Sequence, residues 1–447
     1  MNELHVPDIR ACLEGAIPAN MATCAADGTP NVAFLSQVYY VDEQHVALSF
    51  QFFNKTRQNI LANPQAAVLL LHPQTAAFYR LHLRYLRTET SGPLFEGMKA
   101  QLAGIASHSG MQAVFKLLGA DVYRVERIEA VPGEPLPAPT PRGGMLAAVR
   151  RCSEQLARCN SLDEALNAVL SALAQCMGVQ HGMVLMFDAA AQRLYTVASS
   201  GYPTSGVGSE VQLGQGVIGV AARERTPVRI THMTNAATYT QAVRSGFQAG
   251  ASGVDATTEI PYPGLAQPRS QVAVPVLAAG RLLGVLFVES PDDMRFGYED
   301  EDMLVAMAGQ LGATMELVQV SGDAVEAAPA AVAPGPVASG EPLQLRRFAG
   351  TDSVFVGDDY LIKGVAGAIL WKLLRDYVGQ GRCDFSNREL RLDPSIRLPD
   401  VTDNLEARLV LLRRRLAEQC PAIRIEKTGR GRFRLRVERP VVLTDIS

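Results

Sequence analysis

Two stretches of the chain carry side chains that could do chemistry. In the first, Gln51 and Asn54 are followed at once by Lys55, Thr56 and Arg57. Asn54 can cap a helix there, and Asn63-Pro64 ends it. A helix start offers free backbone N–H groups, and a Lys and an Arg beside them suit a phosphate. In the second, Val401–Arg439, Lys and Arg outnumber Asp and Glu by 11 to 5 on a chain whose balance is −3. Arg408, Val410, Leu411, Arg413 and Arg414 fall on a predicted helix, and Lys427, Arg430 and Arg432 on the turn after it. A helix followed by a basic hairpin suits nucleic acid, with the helix in the major groove and arginines on phosphates. The face made by Ala407, Val410, Leu411 and Arg414 can meet thymine methyls but supplies few bidentate hydrogen bonds. The same face could dock a protein.

The elements that must position these groups are legible around them. Asp403 is a candidate cap, with Glu406 three residues on completing a capping box. Leu405, Leu409, Leu412 and Leu416 then recur at helical spacing as one buried face. Pro421 stops the helix. Ile423–Glu426 and Arg432–Val437 alternate as strands, joined through Thr428-Gly429-Arg430-Gly431. Near the N-terminus, Ile17–Ala25, Asn31–Val41, His45–Phe52 and Ala66–Leu71 are expected to be strands, with Asp27-Gly28 a hairpin turn.

The 447 residues, 47% hydrophobic and 19% charged, predict several domains, each with its own core. No uninterrupted apolar run approaches the ~20 residues of a membrane span, and no signal-peptide pattern opens the chain. The seven cysteines (12, 24, 152, 159, 176, 383, 420) lack C-x-x-C spacing, which predicts reduced thiols in a cytoplasmic protein. Cys152 and Cys159 share one helical face, read as small core residues rather than a redox pair. His72, His82 and His108 have no metal-ligand spacing, and no metal is expected. Proline-dense Val131–Arg142 and the Ala/Pro/Gly-rich stretch 321–342, a predicted linker, divide the chain into units at 1–130, 145–320 and 343–440.

In the first unit the order strand, K-x-R helix, Asn-Pro, buried strand, with a closing strand at Asp121–Val125, resembles the pyridoxamine 5′-phosphate oxidase-like, FMN-binding split β-barrel. The resemblance implies a flavin whose phosphate meets Lys55 and Thr56, with Gln51, Asn54 and Arg57 nearby. The family's charged R-x-V-L-L-K run is replaced by NVAFLSQ at Asn31–Gln37, which removes two charge-assisted phosphate contacts.

In the second unit Met145, Val149, Cys152, Leu156 and Cys159 form an a/d seam suited to pairing in a homodimer. Ser161 and Glu164 open the next helix as a capping box. The phrases LGQGVIGVAARERTPVRI and RSQVAVPVLAAGRLLGVLFVES are similar to a GAF domain, an antiparallel sheet with helices. Gly214-Gln215-Gly216-Val217-Ile218-Gly219 lacks the β-α-β unit and acidic residue of a dinucleotide fingerprint, and that reading is rejected. A long segment between Thr231 and Gln271 offers His232, Tyr239, Arg244, Phe247 and Tyr262 as lining for a small-molecule effector pocket.

From Tyr360 onward, Ser386–Leu390, Leu412–Leu416 and Thr428–Phe433 resemble the winged helix-turn-helix of OmpR-type response regulators. The fold class expected is thus multidomain α+β: split barrel, GAF and winged helix. The function expected is a ligand- or redox-responsive one-component transcription regulator acting on double-stranded DNA. The rival is a flavin-dependent oxidoreductase with regulatory appendages, for which no general base or nucleophile stands at catalytic spacing to a partner.

Overall fold

A computed structural model describes residues 4–13, 17–51, 55–108, 117–137, 144–230, 260–323, 340–396, 398 and 404–446. The first unit contains β1 (Ala19–Cys24), β2 (Pro30–Leu35), β3 (Val38–Tyr40), β4 (His45–Phe50), α1 (Lys55–Ala62), β5 (Gln65–Leu71), β6 (Phe78–Glu89), α2 (Pro93–His108) and β7 (Gly119–Ala130). The strand order β2-β1-β5-β6-β7-β4-β3 puts two consecutive strands, β2 and β3, at opposite edges of one antiparallel sheet. Only Ser36 and Gln37 lie between them, so the sheet must curl until its edges nearly meet. Met21, Leu48, Ile60, Val68, Leu81, Leu83 and Tyr123 fill the interior. The stretch Asn31–Val41, expected as one strand, is therefore two strands that break at the turn where the barrel splits.

The second unit runs through α3 (Met145–Leu156), α4 (Leu162–Met177), β8 (His181–Asp188), β9 (Arg193–Ser200), β10 (Glu210–Gln212), α5 (Gly216–Glu224), β11 (Val228–Ile230), β12 (Ser270–Ala278), β13 (Arg281–Ser290) and α6 (Tyr298–Asp323). The sheet order is β10-β9-β8-β13-β12-β11. Successive side chains of a strand face opposite sides. Val184 and Met186 of β8 accordingly join α3, α4 and α6, while Met183 and Leu185 join α5. Both faces are covered, which is why these strands are continuously apolar rather than alternating.

The expected dimer seam is a correction. Cys152 and Leu156 are each 1% exposed, and Met145, Val149 and Cys159 pack on the same intrachain cluster against α4 and α6. A seam consumed within one chain is unavailable to a second copy. In α6, Tyr298–Val320 is long and apolar enough to cross a membrane by length and composition alone. Its Met303, Leu304, Met307, Leu311 and Met315 are buried in the core.

The third unit begins with three strands that the sequence reading did not mark: β14 (Leu343–Phe348), β15 (Ser353–Val356) and β16 (Asp359–Ile362). There follow α7 (Gly364–Gln380), β17 (Asp384–Ser386), α8 (Asn387–Leu392), α9 (Leu405–Gln419), β18 (Ile423–Gly429), β19 (Arg432–Val437) and β20 (Val441–Ile446). β20 returns to pair in parallel with β14, and β17-β19-β18 form a separate three-stranded sheet. The cap of α9 is Asn404, whose side chain accepts from the Ala407 N–H at 3.1 Å. Asp403 lies outside the described residues, and Glu406 accepts from Asn387 Nδ2 at 2.8 Å instead of closing a capping box.

Candidate functional site: the barrel cleft and the docked helix

An open cleft lies in the barrel between β2, β4 and α1. Met21, Leu35, Leu48 and Ile60 form its apolar walls, Phe34 its rim, and Arg57, Asp121 and Tyr123 also line it. Arg57, expected to serve a phosphate, turns inward instead. Its guanidinium pairs with Asp121 and donates to Thr88 Oγ1 at 2.8 Å. The Thr88 hydroxyl also donates to Asp121, and the Tyr85 hydroxyl is 2.7 Å from it. Burial pushes the Asp121 carboxyl up, with Thr88 and Arg57 pulling against it. Phe50 covers the guanidinium, 4.6 Å from its ring centroid. Burying an unmatched guanidinium would be costly, so the barrel supplies its counterion from β7.

The other expected flavin contacts are dispersed. Lys55 is exposed and does not line the cleft; Asp27, held low chiefly by the Thr29 N–H, also feels its charge. Thr56 accepts from Asn31 Nδ2 at 2.9 Å. Gln51 lines the cleft and donates to the Ser36 and Ser49 hydroxyls at 3.0 and 3.4 Å. Asn54 lies outside the described residues. Among the described lining residues the only charged groups are Arg57 and Asp121, which neutralise each other. The walls suit a flavin ring, but this set does not fit the phosphate of FMN.

In the second unit, His232, Tyr239, Arg244 and Phe247 lie outside the described residues. Tyr262 is half-buried and packs on the α5-side core. The glycine-rich turn before α5 belongs to the fold: a Cβ on Gly219 would stand 2.2 Å from the Gln212 carbonyl oxygen. All seven cysteines are free, and burial pushes the Cys152 thiol up to about 11, as for an unreactive core thiol.

The residues expected to meet DNA are placed differently from the expectation. Arg408, Val410 and Leu411 are only 4–5% exposed, because that face of α9 lies against the second unit. Arg408 pairs with Asp188 at 2.8 Å and covers the Tyr195 ring at 4.4 Å. Arg413 and Arg414 both take Asp163, at 2.6 and 2.7 Å. Arg414 also donates to the Val197 carbonyl at 3.1 Å and to Asn167 Oδ1 at 2.8 Å. Glu418 accepts from the Ser205 hydroxyl at 2.6 Å, and Lys363 pairs with Glu210 at 3.1 Å. Burial raises Asp188, but Arg408 and the Ala191 N–H outweigh it, and the carboxyl stays below its ordinary range.

On the hairpin, Lys427 reaches the Asn160 carbonyl at 3.4 Å, Arg430 is exposed and Arg432 is half-buried. Lys427 and Arg430 also line a second cleft, between the hairpin, the α3–α4 link and α6. In this arrangement the helix face expected to read DNA is an internal interface. Asp163 and Asp188, which the sequence reading left unmarked, are its counterions. An Asp in the first turn of a helix already has a reason to be there, which hid the role of Asp163.

Residues 6–126 match the pyridoxamine 5'-phosphate oxidase family, and residues 159–316 match the GAF domain family. No curated protein matches the chain. Among solved structures, the GAF domain from Acinetobacter phosphoenolpyruvate-protein phosphotransferase is similar at 20% identity and a TM-score of 0.32. That comparison covers 41% of this chain and 99% of the other. An FMN-binding protein from Syntrophomonas wolfei subsp. wolfei is similar at 17% identity and a TM-score of 0.24, covering 28% of this chain and 90% of its own. This chain therefore carries a pyridoxamine 5'-phosphate oxidase-like N-terminal domain followed by a GAF domain.

Proposed function

We propose that the protein is a ligand- or redox-responsive one-component transcription regulator whose C-terminal unit, read as a winged helix, is held closed by the GAF domain. The observation that carries this reading is the pairing of Arg413 and Arg414 with Asp163 and of Arg408 with Asp188. Three guanidinium groups on one helix are matched by two carboxylates of the GAF domain, a pairing that would have to open before those groups could meet a phosphate. The order of elements lends support: a long helix, a short helix capped by Ser386, the basic helix, then a hairpin bearing Lys427, Arg430 and Arg432. An effector that binds the released state better than the closed one shifts the equilibrium toward DNA. Apparent DNA affinity then scales with the fraction of molecules open.

Asp163→Asn with Asp188→Asn removes the internal counterions and leaves the arginines in place. Anisotropy with a labelled duplex should show the double variant binding at least about tenfold more tightly than wild type, and losing that affinity steeply with salt. A folded double variant with no salt-sensitive DNA retention overturns the reading. The oxidoreductase alternative gains little from the barrel, where the one carboxylate among the described lining residues is held by Arg57.

A further inference from the structure

The barrel cleft is apolar in depth and balanced in charge, and both properties limit what it can hold. A phosphate entering it would find Arg57 already matched and Asp121 close behind. Dianion desolvation without a free cation is unfavourable by a wide margin. Among the described lining residues one polar atom is unanswered: Gln51 Oε1 is buried with no hydrogen-bond partner, while its Nε2 is held by Ser36 and Ser49. A buried acceptor left unmade is a standing cost that a ligand N–H removes. The ring of Phe34, 82% exposed at the rim, gains by being covered with another flat ring.

We infer that the cleft binds an uncharged, planar heteroaromatic molecule through an N–H donated to Gln51 Oε1, and discriminates against the same ring system carrying a phosphate. The Arg57–Asp121 pair sets this preference. It fills the position where a free cation would select a phosphorylated ligand, and it keeps the floor of the cleft neutral.

Titration of the full chain with riboflavin and lumichrome, as uncharged probes, and with FMN tests this by flavin fluorescence. Riboflavin should bind at least tenfold more tightly than FMN. Gln51→Leu should weaken both uncharged probes by roughly tenfold, the value of one hydrogen bond to a buried acceptor. Asp121→Asn leaves Arg57 unmatched and should shift the ratio toward FMN by tenfold or more. Because that variant removes half of a buried pair and can fail to fold, Gln51→Leu gives an independent reading. FMN binding as tight as riboflavin in the wild type, no binding of either uncharged probe, or unchanged uncharged-probe affinity in Gln51→Leu overturns the inference. No DNA enters the measurement, so its outcome is separate from that of the regulator reading.

Discussion

Glu289 faces Gln271 across the β12–β13 ladder and is 1% exposed. Its carboxyl accepts from the Leu265 N–H at 2.8 Å and from Gln271 Nε2 at 2.9 Å. Burial pushes it up, and these donors together with the Tyr202 hydroxyl only partly offset that. The native state therefore binds this proton more tightly than the unfolded chain does. Its contribution is complete at pH values below the ordinary carboxylate range and is lost as pH rises through the shifted value. Glu289→Gln keeps an acceptor and cannot ionise. As pH falls from neutral toward the ordinary carboxylate range, the urea midpoint of the wild type should rise relative to that of Glu289→Gln. Parallel pH profiles for the two proteins would sink this assignment. At this scale the sequence was partly misleading. Lys55 and Arg57 are spaced as phosphate ligands, yet Arg57 is matched by Asp121 from a strand 64 residues away, a distance that no local pattern can report.

The helix α9 shows why a correct element can still be assigned the wrong surroundings. Its span and its leucine face were readable, because 3.6-residue periodicity and Pro421 define both. The opposite face mixes Val410 and Leu411 with arginines, and a helix that is apolar on both sides is buried on both sides. In the fold α9 packs on α7 and β18 of its own unit, and a Cβ on Gly208 of the GAF domain would come within 3.6 Å of Leu411 Cδ1. The three leading strands of the third unit escaped notice for a related reason. β14 takes its parallel partner from β20, nearly the whole unit away in sequence, and such pairing leaves no local turn signal. Leu411→Asp places a charge in the α9–GAF interface and leaves the leucine face intact. The loss of apolar burial and the unpaired charge should together cost the docked state about 2–4 kcal/mol. Hydrogen exchange should then quicken in β9 and on α9 while the β18–β19 hairpin keeps its protection. Unchanged exchange at β9 would show that α9 does not lean on the GAF sheet.

At the scale of the whole molecule the GAF domain is the hub, and its two attachments differ in kind. The barrel reaches it through α2, which leans on α5 and β11, with Lys99 at 3.6 Å from Glu224. Arg10, between the rings of Tyr40 and Tyr298 at 4.5 and 4.4 Å and 3.6 Å from Asp302, adds a second link. The ion pairs among these links are exposed on at least one side and are worth about 0–1 kcal/mol each. The barrel also keeps its own separate core. The C-terminal unit, by contrast, shares one continuous apolar cluster with the GAF domain, from Leu166 and Val197 through Val410 and Leu411 to Leu370. Segments that share a core unfold together, and segments with separate cores open separately. Calorimetry of the full chain should therefore resolve two transitions: one for the barrel, and one of larger enthalpy for the GAF domain with the C-terminal unit. Arg10→Ala should leave the larger transition in place. Asp163→Asn with Asp188→Asn should split it, because the carboxylates that anchor α9 are then gone and the apolar contact alone must hold the unit down. Three transitions already resolved in the wild type would mean that the closed arrangement contributes little free energy.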